Sequence, residues 1–340
     1  MTRTVAGSAP AAPDSLVQRV FAALADGVMH SGEQLAAEQQ VSRSAVWKAV
    51  GALQALGLSV EAAPHRGYRL AAPVTPLQTA RIVAQLSAAT RERLRDGAVA
   101  WSVPSTNSAL LARTEPPVGR FDFLLAEYQS AGRGRRARPW FAPPGGALCL
   151  SMGWSYGALP RGAAALSLAV GVCARRALRA FADVTVQLKW PNDLLASGRK
   201  LGGILIELRA ESAGPAYVVI GVGINCALGA ALSRRVQEAG TMPIDLAELG
   251  VAACDRNRLA AVLLTEIITG VLEFERHGLA PFAAEWGEAD ALVGRAVKLS
   301  LPGAEYLGLA RGINAEGALC VQGANDVRHF HSGEVSVRPR

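Results

Sequence analysis

The segment from Phe123 to Trp140 constrains the fold more than any other part of this sequence. The apolar run Phe123-Leu124-Leu125-Ala126 favours a buried strand, and the loop that follows contains four arginines, Gly132 and Gly134. A strand that ends in such a loop brings it to the edge of a rigid sheet, where binding sites commonly lie. Glycine lets a backbone approach a ligand closely, and arginine donates to phosphate or carboxylate oxygens. The pattern predicts an anion-binding loop at a sheet edge.

Length and composition predict a multidomain protein with no membrane span. A chain of 340 residues exceeds one ordinary domain, and 50% hydrophobic residues suffice for a large core. No apolar run approaches the ~18 residues that cross a bilayer, and the first fifteen residues lack the apolar block of a secretion signal. The net charge of +7 favours anionic partners but does not choose among nucleic acid, nucleotide and acidic protein.

The cysteines favour a reducing compartment. The chain has five, with no two at C-x-x-C spacing: Cys149, Cys173, Cys226, Cys254 and Cys320. This pattern argues against a disulfide framework and against a zinc site. We therefore expect a cytoplasmic protein with no metal site built from its own side chains and no membrane partner.

Residues 15–70 have the pattern of a winged helix-turn-helix. One apolar helix ends at Gly27, Ser31 and Ser42 are N-cap residues of two more helices, and short strands follow at 58–61 and 67–70. From 42 to 70 the net charge is +3, which suits DNA. The alternative is that the unit docks a protein. The candidate DNA-binding residues are Ser42, Arg43, Ser44, Lys48 and Arg66.

The rest of the chain predicts an α+β fold. Strands at 121–128, 147–154, 184–190, 201–209 and 216–224, and helices at 105–113, 162–182, 256–276 and 279–289, favour a mixed sheet backed by helices. The weakly periodic segment 226–254 predicts a loop over the site. Short strands and turns from Gly294 onward predict a small β-barrel.

Four further segments carry polar groups at the ends of predicted elements. They are Ser105-Thr106-Asn107, Lys189-Trp190-Pro191-Asn192-Asp193, Lys200 to Glu207, and Gly221-Val222-Gly223-Ile224-Asn225. Together with the arginine loop they supply positive charges, side-chain amides, and glycines that leave the backbone accessible. This set suits the reaction of a carboxylate with a nucleoside triphosphate, because cations must bring two anions together.

Several of these residues also have a purely structural interpretation. Arg136 and Arg138 are equally consistent with solvated loop charges, Ser105 or Thr106 with a helix cap, and Asn225 with the end of a strand. Trp190 is more typical of a core residue than of a ligand contact. The sequence contains no H-E-x-x-H, G-x-S-x-G or Walker A pattern, which argues against zinc proteolysis, serine hydrolysis and P-loop phosphoryl transfer.

Taken in order, these segments resemble the bifunctional biotin protein ligase and biotin operon repressor family. The likeness extends over roughly residues 15–340, including the N-terminal unit and the C-terminal Gly317-Ala318-Leu319. It implies a winged helix-turn-helix at 15–70, a class II synthetase-like catalytic domain at 77–290, and a small SH3-like β-barrel at 294–340.

The resemblance also implies an activity. The biotin carboxylate would attack the α-phosphate of ATP, with Mg²⁺, to give biotinyl-5′-AMP. A lysine of the biotin carboxyl carrier protein of acetyl-CoA carboxylase would then take the biotin. The adenylate-bound homodimer would bind operator DNA and repress biotin genes. The alternatives are a ligand-sensing regulator without ligase turnover and a ligase for a related carboxylate such as lipoate.

The residues of the site follow from the same resemblance. Ser105, Thr106 and Gln129, with the neighbouring Asn107, would hold the ureido end of biotin. The arginine loop would cover the adenylate, and the nucleotide side would be polar. The implied catalytic residues are Lys200, Arg135 and Lys189, the loop contacts are Arg133, Gly134 and Arg135, and the nucleotide side is Asn192, Asp193 and Asn225.

The arginine loop departs from the family's pattern at two positions. Ala137 stands where a third glycine is usual, and Pro139 stands where a lysine is often found. Alanine tolerates positive φ poorly, and proline has no amide donor. Both changes predict an altered loop closure.

Overall fold

The computed structural model describes residues 15–210, 214–238, 240, 242–251, 254–301, 304–331 and 336–339. The chain divides into two compact units between Val74 and Thr75. Among the helices in these ranges, none has both the length and the apolar character needed to cross a bilayer.

The first unit contains three helices and a two-stranded antiparallel sheet: α1 Leu16–Leu24, α2 Gly32–Glu38, α3 Arg43–Ala55, β1 Val60–Ala63 and β2 Gly67–Leu70. The predicted caps are confirmed, since the Ser31 hydroxyl accepts from two N–H groups of α2 and the Ser42 hydroxyl accepts from that of Ala45. Val20, Phe21, Leu35, Val46 and Leu53 are buried and form the core of the unit. The helix-turn-helix is therefore confirmed, although β1 begins two residues later than the predicted strand.

The second unit is built on a seven-stranded mixed sheet with the order β3-β4-β5-β9-β8-β7-β6. Its strands are β3 Leu94–Val103, β4 Phe121–Gln129, β5 Ala147–Tyr156, β6 Gln187–Lys189, β7 Asp193–Ala196, β8 Arg199–Ala210 and β9 Ala216–Asn225. Among the described strands of this sheet, β3 and β4 are the one pair that runs parallel. The prediction of a mixed sheet is confirmed, but β3 and β7 were missed and the strand predicted at 184–190 shortens to β6.

Helices cover both faces of this sheet: α4 Thr79–Ala84, α5 Ala88–Arg93, α6 Thr106–Leu111, α7 Leu166–Ala182, α8 Ala230–Glu238, α9 Arg256–His277 and α10 Ala280–Ala289. Side chains alternate along a strand, so Phe123 and Leu125 of β4 join the large core with α7 and α9, whereas Leu124 packs beside Leu110 of α6. The segment 226–254 is more structured than a loop. It contains α8 and the buried residues Ile244 and Leu246.

The C-terminal part forms an antiparallel sheet with the order β13-β12-β11-β10-β14. Its strands are β10 Ala296–Leu301, β11 Ala304–Ile313, β12 Leu319–Gln322, β13 Val327–Phe330 and β14 Ser336–Pro339. Among the described strands, β13 and β14 are the two edges of the sheet, so the expected closure into a barrel is not confirmed. Val297, Leu299 and Leu319 belong to the same hydrophobic core as the central sheet.

A buried ion pair holds the first residues of the second unit. The Arg256 and Glu127 side chains are 1% and 6% exposed, and an Arg256 Nη lies 2.7 Å from Glu127 Oε2. Arg256 also donates to the Thr75 carbonyl at 2.9 Å, and Glu127 Oε1 accepts from the Leu77 N–H at 2.6 Å. Asn257 donates to the Pro76 carbonyl at 3.0 Å. Because both charges are paired and hydrogen-bonded, their burial is tolerated.

Candidate active site

A cavity of about 390 Å³ opens in the second unit where β4, β5, β8 and β9 meet the arginine loop. All the residues predicted for the ligand side line it: Ser105, Thr106, Asn107, Gln129, Arg133, Gly134, Arg135, Lys189, Asn192, Asp193, Lys200 and Asn225. Positions that are as much as 120 residues apart in the chain are thus brought into one cleft. The predicted DNA-binding residues lie on the other unit.

Thr106, Asn107 and Gln129 line one part of the cavity. With Ser151 and Glu207 they form a hydrogen-bonded cluster that we call the polar floor, of which Thr106, Asn107 and Ser151 are buried. Gln129 Oε1 accepts from the Thr106 N–H at 2.8 Å and from its hydroxyl at 3.1 Å. Asn107 Nδ2 donates to Glu207 at 2.9 Å. The Ser151 hydroxyl lies 2.7 Å from Thr106 Oγ1 and 2.5 Å from Asn107 Oδ1. These bonds fix the side chains before any ligand binds.

Sequence reasoning missed two members of the polar floor. Ser151 is fully buried in β5 among apolar residues, and its polarity within an apolar run was an available signal. Glu207 lies at the end of the Lys200 to Glu207 segment but was given no role. Ser105 was predicted as a ligand contact, and its hydroxyl caps α6 by accepting from the Ser108 N–H at 3.4 Å.

Two glycines of β9 leave room for the site. A Cβ on Gly221 would lie 2.3 Å from Asn107 Oδ1, and one on Gly223 would lie 2.8 Å from a ring carbon of Trp140. Real Cβ atoms do not approach so closely, so a larger side chain at either position would displace Asn107 or Trp140. The bare backbone predicted here is therefore needed for packing around the cavity.

The arginine loop, Gly132 to Trp140, is a hairpin closed by its own backbone. Gly134 N–H donates to the Arg138 carbonyl at 2.7 Å, and Trp140 N–H donates to that of Gly132 at 2.8 Å. Pro139 lies between these bonds, so its missing donor breaks neither. Arg136 and Ala137 have φ values of +54° and +55°, in the left-handed region that favours glycine. Ala137 is thus under backbone strain.

Arg133 and Arg135 reach different parts of the cavity. Arg133 lies 2.9 Å from Glu207 and donates to the Ser108 hydroxyl at 2.8 Å. Arg135 donates to Asn192 Oδ1 at 3.4 Å. Burial lowers the pKa of the Arg135 guanidinium, and the neighbouring positive charge of Arg136 adds to this shift. An anion bound beside Arg135 would therefore stabilise its partly buried positive charge.

The other part of the cavity is cationic. Lys200 Nζ lies 2.6 Å from Asp193 Oδ1, and the two side chains are 28% and 22% exposed. Asn225 Nδ2 donates to the carbonyls of Lys200 and Ile244 at 3.2 and 3.0 Å. Asn225 thus braces the backbone of Lys200 against the segment that follows α8. This contact favours the structural interpretation of Asn225.

Trp190 and three of the cysteines, Cys149, Cys173 and Cys226, are buried. Trp190 is 1% exposed and its indole donates to the Gly317 carbonyl at 3.0 Å, as expected of a core residue, and it also borders the cavity. Burial raises the pKa of the Cys149 thiol, which lines the cavity, to about 11. Across the described ranges, no group of three or more His, Cys, Asp or Glu side chains is placed to hold a metal ion.

The predicted DNA-binding residues lie at one end of α3 and on the β1–β2 turn. Ser42, Arg43, Ser44, Lys48 and Arg66 are all exposed. Arg69 of β2 pairs with Glu61 at 2.7 Å, so part of the local positive charge is neutralised. The structure adds one exposed residue that was not predicted, Trp47, whose exposure is 65%.

Comparison with known proteins agrees with this architecture. Residues 100–225 match the model of the biotin/lipoate A/B protein ligase family, 292–338 that of the biotin protein ligase C-terminal domain, and 20–69 that of an HTH domain. The bifunctional ligase/repressor BirA of Escherichia coli K12 is 39% identical over 325 residues, which span 94% of this chain and 96% of that protein. The chain belongs to the biotin protein ligase family.

Two further relatives are similar to about two thirds to three quarters of this chain. The biotin–[acetyl-CoA-carboxylase] ligase of Mycobacterium tuberculosis is 38% identical over 240 residues, covering 66% of this chain and 86% of that protein. A biotin protein ligase from Aquifex aeolicus, solved in complex with biotin and ATP, superposes with a TM-score of 0.61. It covers 72% of this chain and 100% of that chain, at 24% identity, and shows the common fold.

Proposed function

We propose that this ligase activates biotin with ATP to biotinyl-5′-AMP and transfers the biotin to one lysine of the biotin carboxyl carrier protein of acetyl-CoA carboxylase. The observation that carries the proposal is one cavity with a buried polar floor in one part and Lys200, Arg135 and Lys189 in another. Such a cavity suits a neutral polar head group whose chain ends in an anion.

The polar floor would recognise the ureido group. This group has two N–H donors and one carbonyl acceptor. Thr106, Asn107 and Gln129 of the floor, together with the adjacent Ser105, offer hydroxyl and amide groups of both kinds. The ring of Trp140 lies against Gly223 and would cover the apolar body of biotin. Buried polar groups discriminate strongly, because a ligand without the matching groups leaves them unpaired.

The cations would act on the reacting carboxylate and phosphate. Lys200, exchanging its contact with Asp193 for the ligand, would offset the negative charge that develops on the α-phosphate oxygens. Arg133, Gly134 and Arg135 would cover the adenylate and exclude water until the carrier lysine enters. Lys189, Asn192 and Asn225 would line the nucleotide side, where Asn225 acts by holding Lys200.

Mg²⁺ fits this site as a partner of the nucleotide. It usually binds phosphates through one or two carboxylates and keeps several waters. Asp193 is a carboxylate on the cavity wall and would hold the ion. The ion would supply charge neutralisation of the phosphates, while the protein supplies orientation.

The test is a direct assay. Purified protein is incubated with ATP, Mg²⁺, biotin and the carrier protein, and the carrier is analysed by mass spectrometry. We expect one biotinylated lysine and formation of AMP and pyrophosphate. Absence of product, with an active reference ligase in parallel, would contradict the proposal. Adenylate formation without transfer would support the ligand-sensing regulator instead.

Lipoate is the second candidate substrate, because the matching family model includes lipoate ligases. The polar floor favours biotin, since the dithiolane ring of lipoate offers no N–H or carbonyl to it. Competition between biotin and lipoate for adenylate formation distinguishes the two. We expect biotin to prevail at equal concentrations.

We propose that the first unit binds operator DNA and represses biotin genes when the adenylate-bound protein forms a homodimer in the cytoplasm. In this proposal α3 is the reading helix, β1 and β2 form the wing, and the C-terminal strands belong to a small SH3-like barrel. The exposed Arg43, Lys48 and Arg66, with Ser42 and Ser44, support DNA contact. Gel shifts on the promoter of the organism's own biotin genes, with and without biotin and ATP, test it. No ligand-dependent shift would contradict repression.

A further inference from the structure

We propose that Trp47 is a base-reading residue whose indole contacts thymine methyl groups in the major groove of operator DNA. The inference deepens the proposed repressor function and rests on it. Trp47 is the only tryptophan in the sequence of the first unit and lies in the first half of α3.

The packing of α3 leaves Trp47 outside the core. Val46, Ala49, Val50 and Leu53 form the buried face of this helix. Trp47 is 65% exposed, the largest exposed fraction among the large hydrophobic side chains of the described residues. A tryptophan side chain carries about 150–250 Å² of surface. Packing within the unit therefore does not explain why this position carries an indole.

The surroundings of Trp47 are complementary to a polyanion. Arg43, Ser44 and Lys48 are exposed on the same half of α3, and the helix sequence contains no acidic residue. Gly51, one turn further along, has open space where a side chain would be. No side chain from Gly51 therefore crowds this part of the helix surface. An apolar partner protein would find this ring among uncompensated positive charges, whereas DNA supplies the matching negative charge.

The chemistry of the groove selects the ligand group. Lysine and arginine account for phosphate contacts, but a flat apolar ring gains little from a phosphate. In the major groove the thymine C5-methyl is the apolar group presented by the four base pairs. An exposed indole on a reading helix is thus suited to thymine rather than to the other bases.

The first experiment separates base reading from phosphate contact. Duplexes are selected from a random-sequence pool by the full-length protein with biotin, ATP and Mg²⁺, and affinities are compared for a selected and a shuffled duplex. For Trp47→Ala we expect the ratio of the two affinities to fall by about tenfold. Affinity for the shuffled duplex and the salt dependence should stay unchanged. Lys48→Ala is the matched control, since it should weaken both duplexes alike and reduce the salt slope by about 1.

The second experiment identifies the atom that is read. Each thymine of the selected duplex is replaced in turn by deoxyuridine, which removes only the methyl group. For the wild-type protein we expect about fourfold weaker binding at one or two positions of each half-site. Trp47→Ala should be insensitive to the same replacements. Its thermal unfolding midpoint should match that of the wild type, because the side chain is outside the core.

The outcomes separate this inference from the repressor function. If the wild-type protein selects no duplex, both are overturned. If it selects a duplex and Trp47→Ala keeps the full selectivity, only the role of Trp47 is overturned. The role of Trp47 would also be overturned if Trp47→Ala keeps the DNA selectivity but differs from the wild type in oligomeric mass without DNA. That result would assign Trp47 to contact with a second copy of the chain.

Discussion

The polar floor and the arginine loop line the same cavity but are built in opposite ways. Thr106 and Asn107 are 4% and 3% exposed, and their side chains are fixed by short hydrogen bonds to Gln129, Ser151 and Glu207. In the arginine loop the side chains of Arg136 and Arg138 are exposed, and two adjacent residues have positive φ.

This difference indicates a division of labour. A set of polar groups fixed in advance selects a ligand without paying for its own ordering. A loop held in a strained conformation is suited to opening and closing, since its closed form is favoured only when other contacts support it. We therefore expect the floor to determine which acid binds, and the loop to determine how long its adenylate is retained.

The largest predicted effect tests whether the chemical step depends on Lys200 rather than on the polar floor or the arginine loop. Lys200→Met should lower the rate of adenylate formation by about 10³-fold, because it removes the charge that stabilises the developing phosphate anion. Rapid-quench measurement with saturating ATP and biotin gives this rate. Arg199→Met is the matched control, since Arg199 pairs with Glu248 at 2.7 Å, outside the cavity, and should retain the wild-type rate. Full activity of Lys200→Met would assign the chemistry to the loop or the floor.

The second prediction tests how well the interior beside the floor is shielded. Cys149 has a pKa of about 11, two units above the usual 9.0, so below pH 9 its thiolate fraction is about 100-fold smaller than that of an ordinary thiol. At pH 8 its alkylation should be at least that much slower than the alkylation of a free cysteine peptide. It should also be slower than that of the partly exposed Cys320, although burial raises the pKa of that thiol too. The neutral thiol stabilises the fold below pH 9, and this contribution is lost as the pH rises to 11. Peptide mapping after iodoacetamide treatment measures both rates, and equal rates would contradict a closed floor.

The third prediction concerns selection by the floor. Gln129→Met removes the acceptor of both Thr106 bonds and leaves buried donors unpaired, which costs about 10- to 100-fold in affinity. We expect the KM for biotin to rise by this factor while the KM for ATP changes little. Tyr128→Phe, at a neighbouring position outside the cavity lining, is the control. An equal rise in both constants would indicate general damage rather than loss of selection.

The fourth prediction concerns retention by the loop. Arg135→Met should speed dissociation of biotinyl-5′-AMP by about tenfold, because the loop loses a partly buried charge that would face the adenylate phosphate. Dissociation is followed by displacement of labelled adenylate. Arg138→Met, in the same loop with an exposed side chain, should have a smaller effect. If Arg135→Met instead raises the KM for biotin alone, the division of labour is wrong.

The smallest effect is predicted for Ala137→Gly. Left-handed backbone costs alanine about 1 kcal/mol relative to glycine, so relief of this strain should slow adenylate release by at most about fivefold. Ala131→Gly, at a position without positive φ, adds flexibility but relieves no strain and serves as the control. Faster release from Ala137→Gly would show that the strained hairpin is not the closed form.

The sequence predicted the residues around the cavity better than the contacts between them. Local patterns sufficed for β4, β5, β8 and β9, since each contains a stretch rich in apolar residues. The edge strand β3 was missed because its residues are only half-buried and its partner is a parallel strand beyond α6. Ser151 offers only the weak signal of a polar residue within an apolar run, and Trp47 carries no local signal for its exposure. Burial of one and exposure of the other are decided by packing against distant segments.

The ion pair of Arg256 with Glu127 has a consequence for where this chain can be shortened. The bonds to Thr75, Pro76 and Leu77 belong to the second unit although these residues look like a linker. A polypeptide that begins at residue 74 keeps all of these bonds. One that begins at 79 removes the bonding partners of the buried polar side chains Glu127, Arg256 and Asn257. The two units are therefore best separated within the short stretch 71–74. A protease site inserted there would release a ligase unit that keeps the hydrogen bonds of residues 75–77.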